Sequence, residues 1–134
     1  MRALIACVVA VLLSSCVAGC SSGPPLRVTT IQLGRAVNED HTVASFTTTF
    51  TPDQTVYLSV LTTGVGSGTI SARWKYGSAV INEPKRDVNY RIDAVTDFKL
   101  QSGGGGFPTG DYSVEVFLNG QSAGTRSFSV QNPR

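Results

Sequence analysis

The sequence has a single histidine, His41, and few residue combinations that could perform chemistry. Nucleophilic catalysis requires a base within hydrogen-bonding reach of the nucleophile. His41 with Asp40 and a serine would meet that requirement in principle. However, no Gly-x-Ser-x-Gly sequence lies on a strand-to-helix turn, where such a serine would be exposed. We therefore expect His41 to be a solvated turn residue and the protein not to be an enzyme.

The sequence also lacks the residues that metal-binding and phosphate-binding sites need. A tetrahedral zinc site uses several Cys or His ligands, but one His and no further Cys follow Cys20. The acidic residues near positions 38–40 and at Asp93 and Asp97 do not alternate as calcium ligands do. The two glycine tracts, near residues 64–68 and 103–106, lack a Gly-Lys-Ser/Thr ending. We expect no metal, no cofactor and no small-molecule substrate.

Surface recognition is the remaining kind of site. Arg73 and Lys75 are two positions apart, so a strand would place both on one face. If Lys85 and Arg91 lie on neighbouring strands, they would extend this pair into a small basic patch. Phe107 follows a glycine tract and would stand exposed on a mobile loop, where binding residues are often found. These five residues are the candidate partner-binding positions, and ordinary solvation of a sheet face is the alternative for the basic ones.

From residue 27 onward the chain has the composition of an all-β domain. Short runs of β-branched and aromatic residues are separated by Gly, Pro, Asn and Asp. This pattern predicts a single antiparallel, immunoglobulin-like β-sandwich of about seven to eight strands, with a closed barrel as the alternative. The predicted strands are residues 27–36, 42–49, 55–63, 69–76, 79–85, 88–100 and 111–130, the last divided at Asn119-Gly120.

Alternation predicts which strand faces are buried. One predicted core face consists of Ile70, Ala72, Trp74 and Tyr76, and the other of Tyr112, Val114, Val116 and Leu118. A regular hairpin with a two-residue turn at Asn119-Gly120 would leave Phe128 on the face opposite to Tyr112. We therefore predict either a three-residue loop or a bulge near Gly124, which would bring Phe128 onto the core face.

The order of several short motifs resembles small immunoglobulin-like domains of bacterial envelope lipoproteins. This resemblance implies a sandwich fold with a tyrosine at the sheet corner and a binding or structural role. The motifs are Phe50-Thr51-Pro52, Val56-Tyr57, Ala72-Arg73-Trp74, the Gly110-Asp111-Tyr112 start of an alternating strand, Leu118-Asn119-Gly120 and Phe128-Ser129-Val130.

The first residues have the three parts of an export signal, namely Arg2, an apolar run and small residues up to Gly19. The apolar run is shorter than the roughly 20 residues that cross a bilayer. Val17-Ala18-Gly19-Cys20 resembles the lipobox of bacterial lipoproteins. That resemblance implies a signal peptide over residues 1–19, an acylated Cys20 on a flexible tether over 20–26, and the β domain over 27–134. An ordinary cleaved secretory signal is the alternative.

Lipidation of Cys20 would hold the protein on a membrane. Ser21, where Asp would retain a lipoprotein in the inner membrane, implies an outer-membrane location facing the periplasm in a host with an outer membrane. Cleavage would remove Cys7 and Cys16, so the mature domain would have no disulfide. Without Arg2, ten Lys or Arg residues face nine Asp or Glu, which gives no reason to expect a nucleic-acid partner.

The function that this sequence favours is therefore that of a lipid-anchored, non-enzymatic envelope lipoprotein. Its β-sandwich would bind or stabilise another envelope protein. Two alternatives are a lysozyme or protease inhibitor and an accessory lipoprotein of a secretion or pilus machine. Ser67-Gly68 and Lys75-Tyr76 are similar to fragments of one lysozyme-inhibitor motif, but they are separated here.

Overall fold

The computed structural model describes residues 23–133, which form β-strands and the connections between them. The ten strands are β1 (Arg27–Val37), β2 (Val43–Phe46), β3 (Thr49–Phe50), β4 (Val56–Thr63), β5 (Gly66–Tyr76), β6 (Ala79–Asn82), β7 (Lys85–Tyr90), β8 (Ala94–Leu100), β9 (Gly110–Leu118) and β10 (Gln121–Val130). Within this part of the chain, no helix has the length and apolar character to cross a membrane. The expected signal peptide and Cys20 lie outside the described residues.

The strands form two sheets that enclose one core. Sheet one has the order β2-β1-β4-β8, and sheet two has the order β3-β10-β9-β5-β6, with β7 also paired to β5. All pairs are antiparallel except the short parallel pair of β3 with β10. Two separate open sheets make a sandwich and not a closed barrel. The predicted all-β, immunoglobulin-like sandwich is confirmed.

The core lies between the sheets and follows the predicted alternation, except that Tyr76 at the end of β5 was predicted to be buried and is 39% exposed. Leu58 and Val60 of sheet one face Ile70, Ala72 and Trp74 of sheet two, and all five are fully buried. Phe98 and Phe128 join this core, whereas two other aromatic residues, Tyr57 and Phe117, are half-buried. The predicted core face of β9 is buried at Tyr112, Val114 and Val116, and its last residue, Leu118, is half-buried. Burial of these apolar side chains provides the main stabilisation of the sandwich.

The last hairpin contains the predicted irregularity. Asn119 and Gly120 have φ angles of 52° and 79°, as a two-residue hairpin turn with positive φ at both central positions requires. The register then shifts between Ser122 and Gly124, which is a bulge. As a result Phe128 pairs with Tyr112, and their rings stack with centroids 5.3 Å apart. The bulge therefore delivers Phe128 to the core, as the sequence predicts.

Two predicted strands are wrong because the chain changes sheets within them. Residues 42–49 form β2 in sheet one and β3 in sheet two, and the chain crosses between the sheets at Thr47-Thr48. Residues 88–100 form β7 in sheet two and β8 in sheet one, joined by the turn Arg91-Ile92-Asp93. Neither crossing contains Gly or Pro, and Asp93 is the only turn-favouring residue in them, so the sequence carries little breaker signal there. These two divisions raise the strand number above the predicted seven to eight.

The sandwich has two distinct ends. At one end, Arg27 at the start of β1 pairs with Thr63 at the end of β4, and Ala94 at the start of β8 pairs with Thr62. We call this the tether end, because residues 23–26 enter the domain there. The opposite end carries the Gly77-Ser78 turn between β5 and β6 and the connection between β8 and β9. We call it the distal end.

Candidate interaction surfaces

The only histidine lies on a hairpin that folds back over the outer face of sheet one. His41 Nδ1 is 3.0 Å from Asp97 Oδ1 on β8. Ser59 Oγ donates a 2.7 Å hydrogen bond to the His41 backbone carbonyl, and Ser59 is 0% exposed. Ser, His and Asp thus meet, but the serine hydroxyl is buried and is bonded to the His41 backbone instead of the imidazole. The arrangement fixes the hairpin on the sheet and lacks the geometry of an activated nucleophile.

A Gly-x-Ser-x-Gly pattern does occur at residues 120–124, within the last hairpin. Ser122 lies on β10 opposite Phe117, and its hydroxyl donates a 2.7 Å hydrogen bond to Glu115 Oε2. The pattern therefore spans a turn and a bulge between two antiparallel strands. A nucleophile elbow requires a strand-to-helix turn. Here Gly120 and Gly124 permit the backbone conformation of the turn and the bulge, because both have positive φ.

Two acidic residues of the described chain, Asp40 and Asp53, stabilise their own turns. Residues 23–133 contain no cluster of three or more His, Cys, Asp or Glu side chains that could hold a metal ion. Asp40 Oδ1 accepts hydrogen bonds from the Thr42 hydroxyl and backbone N–H, and these bonds hold the pKa of Asp40 below its usual value. The same pattern occurs at Asp53, whose pKa is lowered by a hydrogen bond from Thr51. Both carboxylates stabilise turns.

The predicted basic residues share a face only in part. Arg73 and Lys75 lie on the outer face of β5, as expected, and Lys85 pairs with Ser71 on the same face. At a strand rise of about 3.3 Å per residue, Lys85 is roughly 13 Å from Lys75 along the sheet. Arg91 follows β7 at the tether end, so it does not extend this group into the basic patch considered from the sequence.

The Arg73 side chain interacts with neighbouring residues of its own sheet. Its Nη2 is 3.2 Å from Glu83 Oε1, and its guanidinium lies 4.5 Å from the centroid of the Phe117 ring. Glu115 is its direct cross-strand partner on β9. The charge of Arg73 is therefore largely compensated within the sheet, and this side chain acts as a cover for Phe117.

Phe107 is not the exposed loop aromatic that the sequence predicts. It is 8% exposed and packs edge-on against Tyr112, with ring centroids 6.0 Å apart. The Phe107 backbone N–H donates to the Pro52 carbonyl at 2.9 Å, which ties the end of the glycine tract to the turn before β4. The prediction is wrong because the aromatic side chain closes the distal end of the core.

A tyrosine corner stands next to Phe107. The Tyr112 hydroxyl donates a 2.6 Å hydrogen bond to the Pro108 carbonyl, four residues upstream, and the Tyr76 hydroxyl donates to the Thr109 carbonyl at 2.9 Å. Their rings contact each other with centroids 4.7 Å apart. This hydrogen bond from the start of a strand to the backbone just upstream is a hallmark of immunoglobulin-like sandwiches. These contacts close the distal end of the core.

The exposed apolar side chains of the described chain were not predicted as such. All four residues of β6 are exposed, including Val80 and Ile81, and Tyr76 beside them is also exposed. The other two exposed large apolar residues are Phe46 at the outer edge of β2 and Ile92 at the tether end. Residue type alone would assign Val80 and Ile81 to the core. Val80 and Ile81 are exposed instead, because they follow a two-residue turn and lie at an outer edge of the sheet.

Comparison with known proteins gives the fold and no family. No protein-family model matches this chain, and no curated protein matches it. Among solved structures, the chain is similar to part of a β-glucosidase from Listeria innocua in complex with glucose, with a TM-score of 0.51 and 9% sequence identity. The match covers 80% of this chain and 16% of the glucosidase, so the chain spans about a sixth of the length of that enzyme. At this identity the likeness shows a shared fold alone.

Proposed function

We propose that this protein is a lipid-anchored, non-enzymatic envelope lipoprotein whose β-sandwich binds another envelope protein along strand β6. The lipobox-like Val17-Ala18-Gly19-Cys20 supports the anchor, which would leave the domain on a membrane, in the outer membrane facing the periplasm where the host has one. The observation that carries the binding role is the exposed apolar edge formed by Tyr76, Val80 and Ile81.

An exposed edge strand offers unpaired backbone N–H and C=O groups to an extended segment of another protein. Main-chain hydrogen bonds would provide affinity, and the side chains of Val80 and Ile81 would provide apolar contact area. Soluble monomers usually protect such edges with charges or prolines. On β6 the four residues Ala79–Asn82 include neither a charge nor a proline.

The rest of the same outer edge carries a proline and charged residues that oppose the addition of a partner strand. In this respect β6 differs from the residues that follow it. Pro84 follows β6 and removes a backbone donor, and its own carbonyl is used by the Ala72 N–H at 3.0 Å. Strand β7 then carries Lys85, Arg86 and Asp87. Arg86 Nη1 donates to the Asp97 carbonyl at 2.8 Å, which also covers the edge of β8 in the other sheet. A partner strand would therefore find an apolar edge without a charge or a proline at the distal end.

The experiment is site-specific photo-crosslinking in intact native cells. A photo-reactive residue is placed at Val80, and a matched control carries it at Thr125, which is exposed on the outer face of β10. We expect a discrete crosslinked envelope protein from position 80 and none from position 125. Val80→Lys should reduce capture of that protein by about tenfold or more, because a lysine on an edge strand opposes strand addition. Thr125→Lys should leave capture unchanged.

The identity of the captured protein separates the remaining alternatives. A structural envelope protein supports the proposal, and a secretion or pilus component makes this chain an accessory lipoprotein of that machine. Recovery of a lysozyme or protease, with inhibition in a direct assay, would replace the proposal by inhibition. Equal crosslinking from positions 80 and 125 would contradict a binding role for β6.

A further inference from the structure

The segment that leads to Cys20 leaves the domain at a fixed point. The Val65 backbone N–H donates to the Pro24 carbonyl at 2.9 Å, and Pro25 forms a β-bridge with Val65. The Pro25 carbonyl also lies directly against Gly64, where a Cβ atom would overlap it. From Pro24 onward the chain is therefore part of the folded domain at the tether end.

The most exposed large apolar side chain of the described residues lies at the same end. Tyr90 at the end of β7 pairs with Gly66, and Ala94 at the start of β8 pairs with Thr62. The turn Arg91-Ile92-Asp93 connects these two strands across the tether end. Ile92 is 78% exposed, so nothing in the domain covers it.

The short distance along the chain links these two features to a membrane. Gly23 is three residues after Cys20, and three extended residues span at most about 11 Å. The polar headgroup region on each side of a bilayer is only about 5–8 Å thick. An acyl chain on Cys20 that is inserted in the hydrocarbon core therefore brings the tether end down to the headgroups.

We propose that the turn Arg91-Ile92-Asp93 rests on the phospholipid surface beside the anchor, with Ile92 inserted among the headgroups. This inference rests on the proposed lipidation of Cys20. The contact turns the tether end toward the bilayer and directs the β6 edge away from it. Ile92 acts as a second, weak membrane contact that orients the domain, while the acyl groups retain it.

The charges at the tether end suit this surface. Arg27 and Arg91 are exposed there, beside one exposed carboxylate, Asp93. Arg27 Nε donates to Thr63 Oγ1 at 3.3 Å, which holds its guanidinium at this end of β1. An apolar tip flanked by arginines matches an interface of apolar chains and anionic phosphates.

The test measures the depth of two probes in the lipidated full-length protein, reconstituted in phosphatidylethanolamine and phosphatidylglycerol vesicles. The mature chain offers no cysteine besides Cys20, so Ser67→Cys and Ser78→Cys each give one labelling site. Both serines are exposed, Ser67 near the tether end and Ser78 at the distal turn. At about 3.3 Å per residue, β5 separates the two positions by about 30 Å or more. A headgroup nitroxide should quench a fluorophore at position 67 and not at position 78.

Ile92→Asp should lower the quenching at position 67 by about twofold or more, because interfacial binding scales with buried apolar area. Phe46→Asp should not lower it, because Phe46 is an exposed apolar residue that pairs with Gly34, seven residues along β1 from Arg27 at the tether end. Equal quenching at both positions, or no effect of Ile92→Asp, would overturn the inference. The latter result would leave Ile92 free for a protein partner.

The anchor itself is measured on the same sample by detergent phase partition and the mass of the amino-terminal peptide. A lipidated protein that gives equal quenching refutes the membrane contact and leaves the proposed function standing. A protein without the acyl mass refutes both the anchor and the membrane contact. Trp74 emission in each variant reports that the domain is folded.

Discussion

Trp74 provides the sharpest test of how this sandwich is held together. It is the only tryptophan, it is 0% exposed, and its ring meets Phe128 edge-on with centroids 5.9 Å apart. Replacing it with alanine removes the largest buried side chain of the core. Trp→Ala changes at buried sites cost about 3–5 kcal/mol of unfolding free energy. Against the 5–15 kcal/mol that is typical of a domain, about a fifth or more of the stability should be lost.

Trp74→Phe should behave very differently, because the indole Nε1 has no hydrogen-bond partner among the described residues. A buried donor without a partner costs about 1–3 kcal/mol. Phenylalanine lacks that nitrogen and two ring carbons, and at about 0.8 kcal/mol per buried carbon their loss costs about 1.6 kcal/mol. The two effects oppose each other. We expect Trp74→Phe to change stability by less than about 1.5 kcal/mol.

The assay is urea unfolding of the soluble domain followed by circular dichroism, since the variants lack the tryptophan signal. Phe46→Ala is the matched control, because Phe46 is 64% exposed and its truncation should cost less than about 0.5 kcal/mol. A Trp74→Phe variant that is as destabilised as Trp74→Ala would refute the reasoning about Nε1. A Trp74→Ala cost below about 1 kcal/mol would refute burial of the ring.

Three further changes test the corner, the folded-back hairpin and the anchor. Burial raises the pKa of the Tyr112 hydroxyl, and the nearby Tyr76 raises it further. The folded state therefore holds this proton more tightly than the unfolded state does. The stabilisation that Tyr112 contributes is present below about pH 10 and is lost as the pH rises above it. Tyr112→Phe should therefore cost about 1 kcal/mol in urea at neutral pH and less above pH 10; an unchanged difference would contradict this assignment. Gly34→Ala should cost about 1–3 kcal/mol because its Cβ would lie 2.6 Å from the Ala44 carbonyl oxygen, while Gly104→Ala, with open space around it, should be neutral. Cys20→Ser should leave the domain folded but move it from the membrane to the soluble fraction, and equal membrane fractions would contradict the anchor.

Local sequence pattern predicts the strands that span the sandwich and the faces that they bury. In β5 and β9, polar and apolar residues alternate over most of the strand, and the apolar face is the buried one. The bulge in the last hairpin was also predictable, because regular pairing at Asn119-Gly120 conflicts with burial of Phe128. In these elements the local rule and the tertiary structure agree.

The sheet crossings and the exposure of single apolar residues could not be predicted in the same way. Thr47-Thr48 and the turn at Ile92 become crossings because β3 pairs with β10 and β8 pairs with β4, which are strands distant in sequence. Phe107 is buried because Tyr112 and the Pro52 carbonyl meet it there. The pairing of His41 with Asp97 joins residues 56 positions apart, for which the sequence has no local signal.

The two proposed surfaces constrain each other through the length of β5. This strand has 11 residues, so at about 3.3 Å per residue it separates the tether end from the Gly77-Ser78 turn by about 35 Å. If Ile92 contacts the headgroups, β6 lies at about the far end of β5 from the membrane. The partner of β6 must then present a strand well above the membrane surface. If the domain lies on its side instead, β6 approaches the headgroups and a membrane-embedded partner can reach it. The depth measured at Ser67 and Ser78 therefore decides which envelope proteins could be crosslinked from Val80.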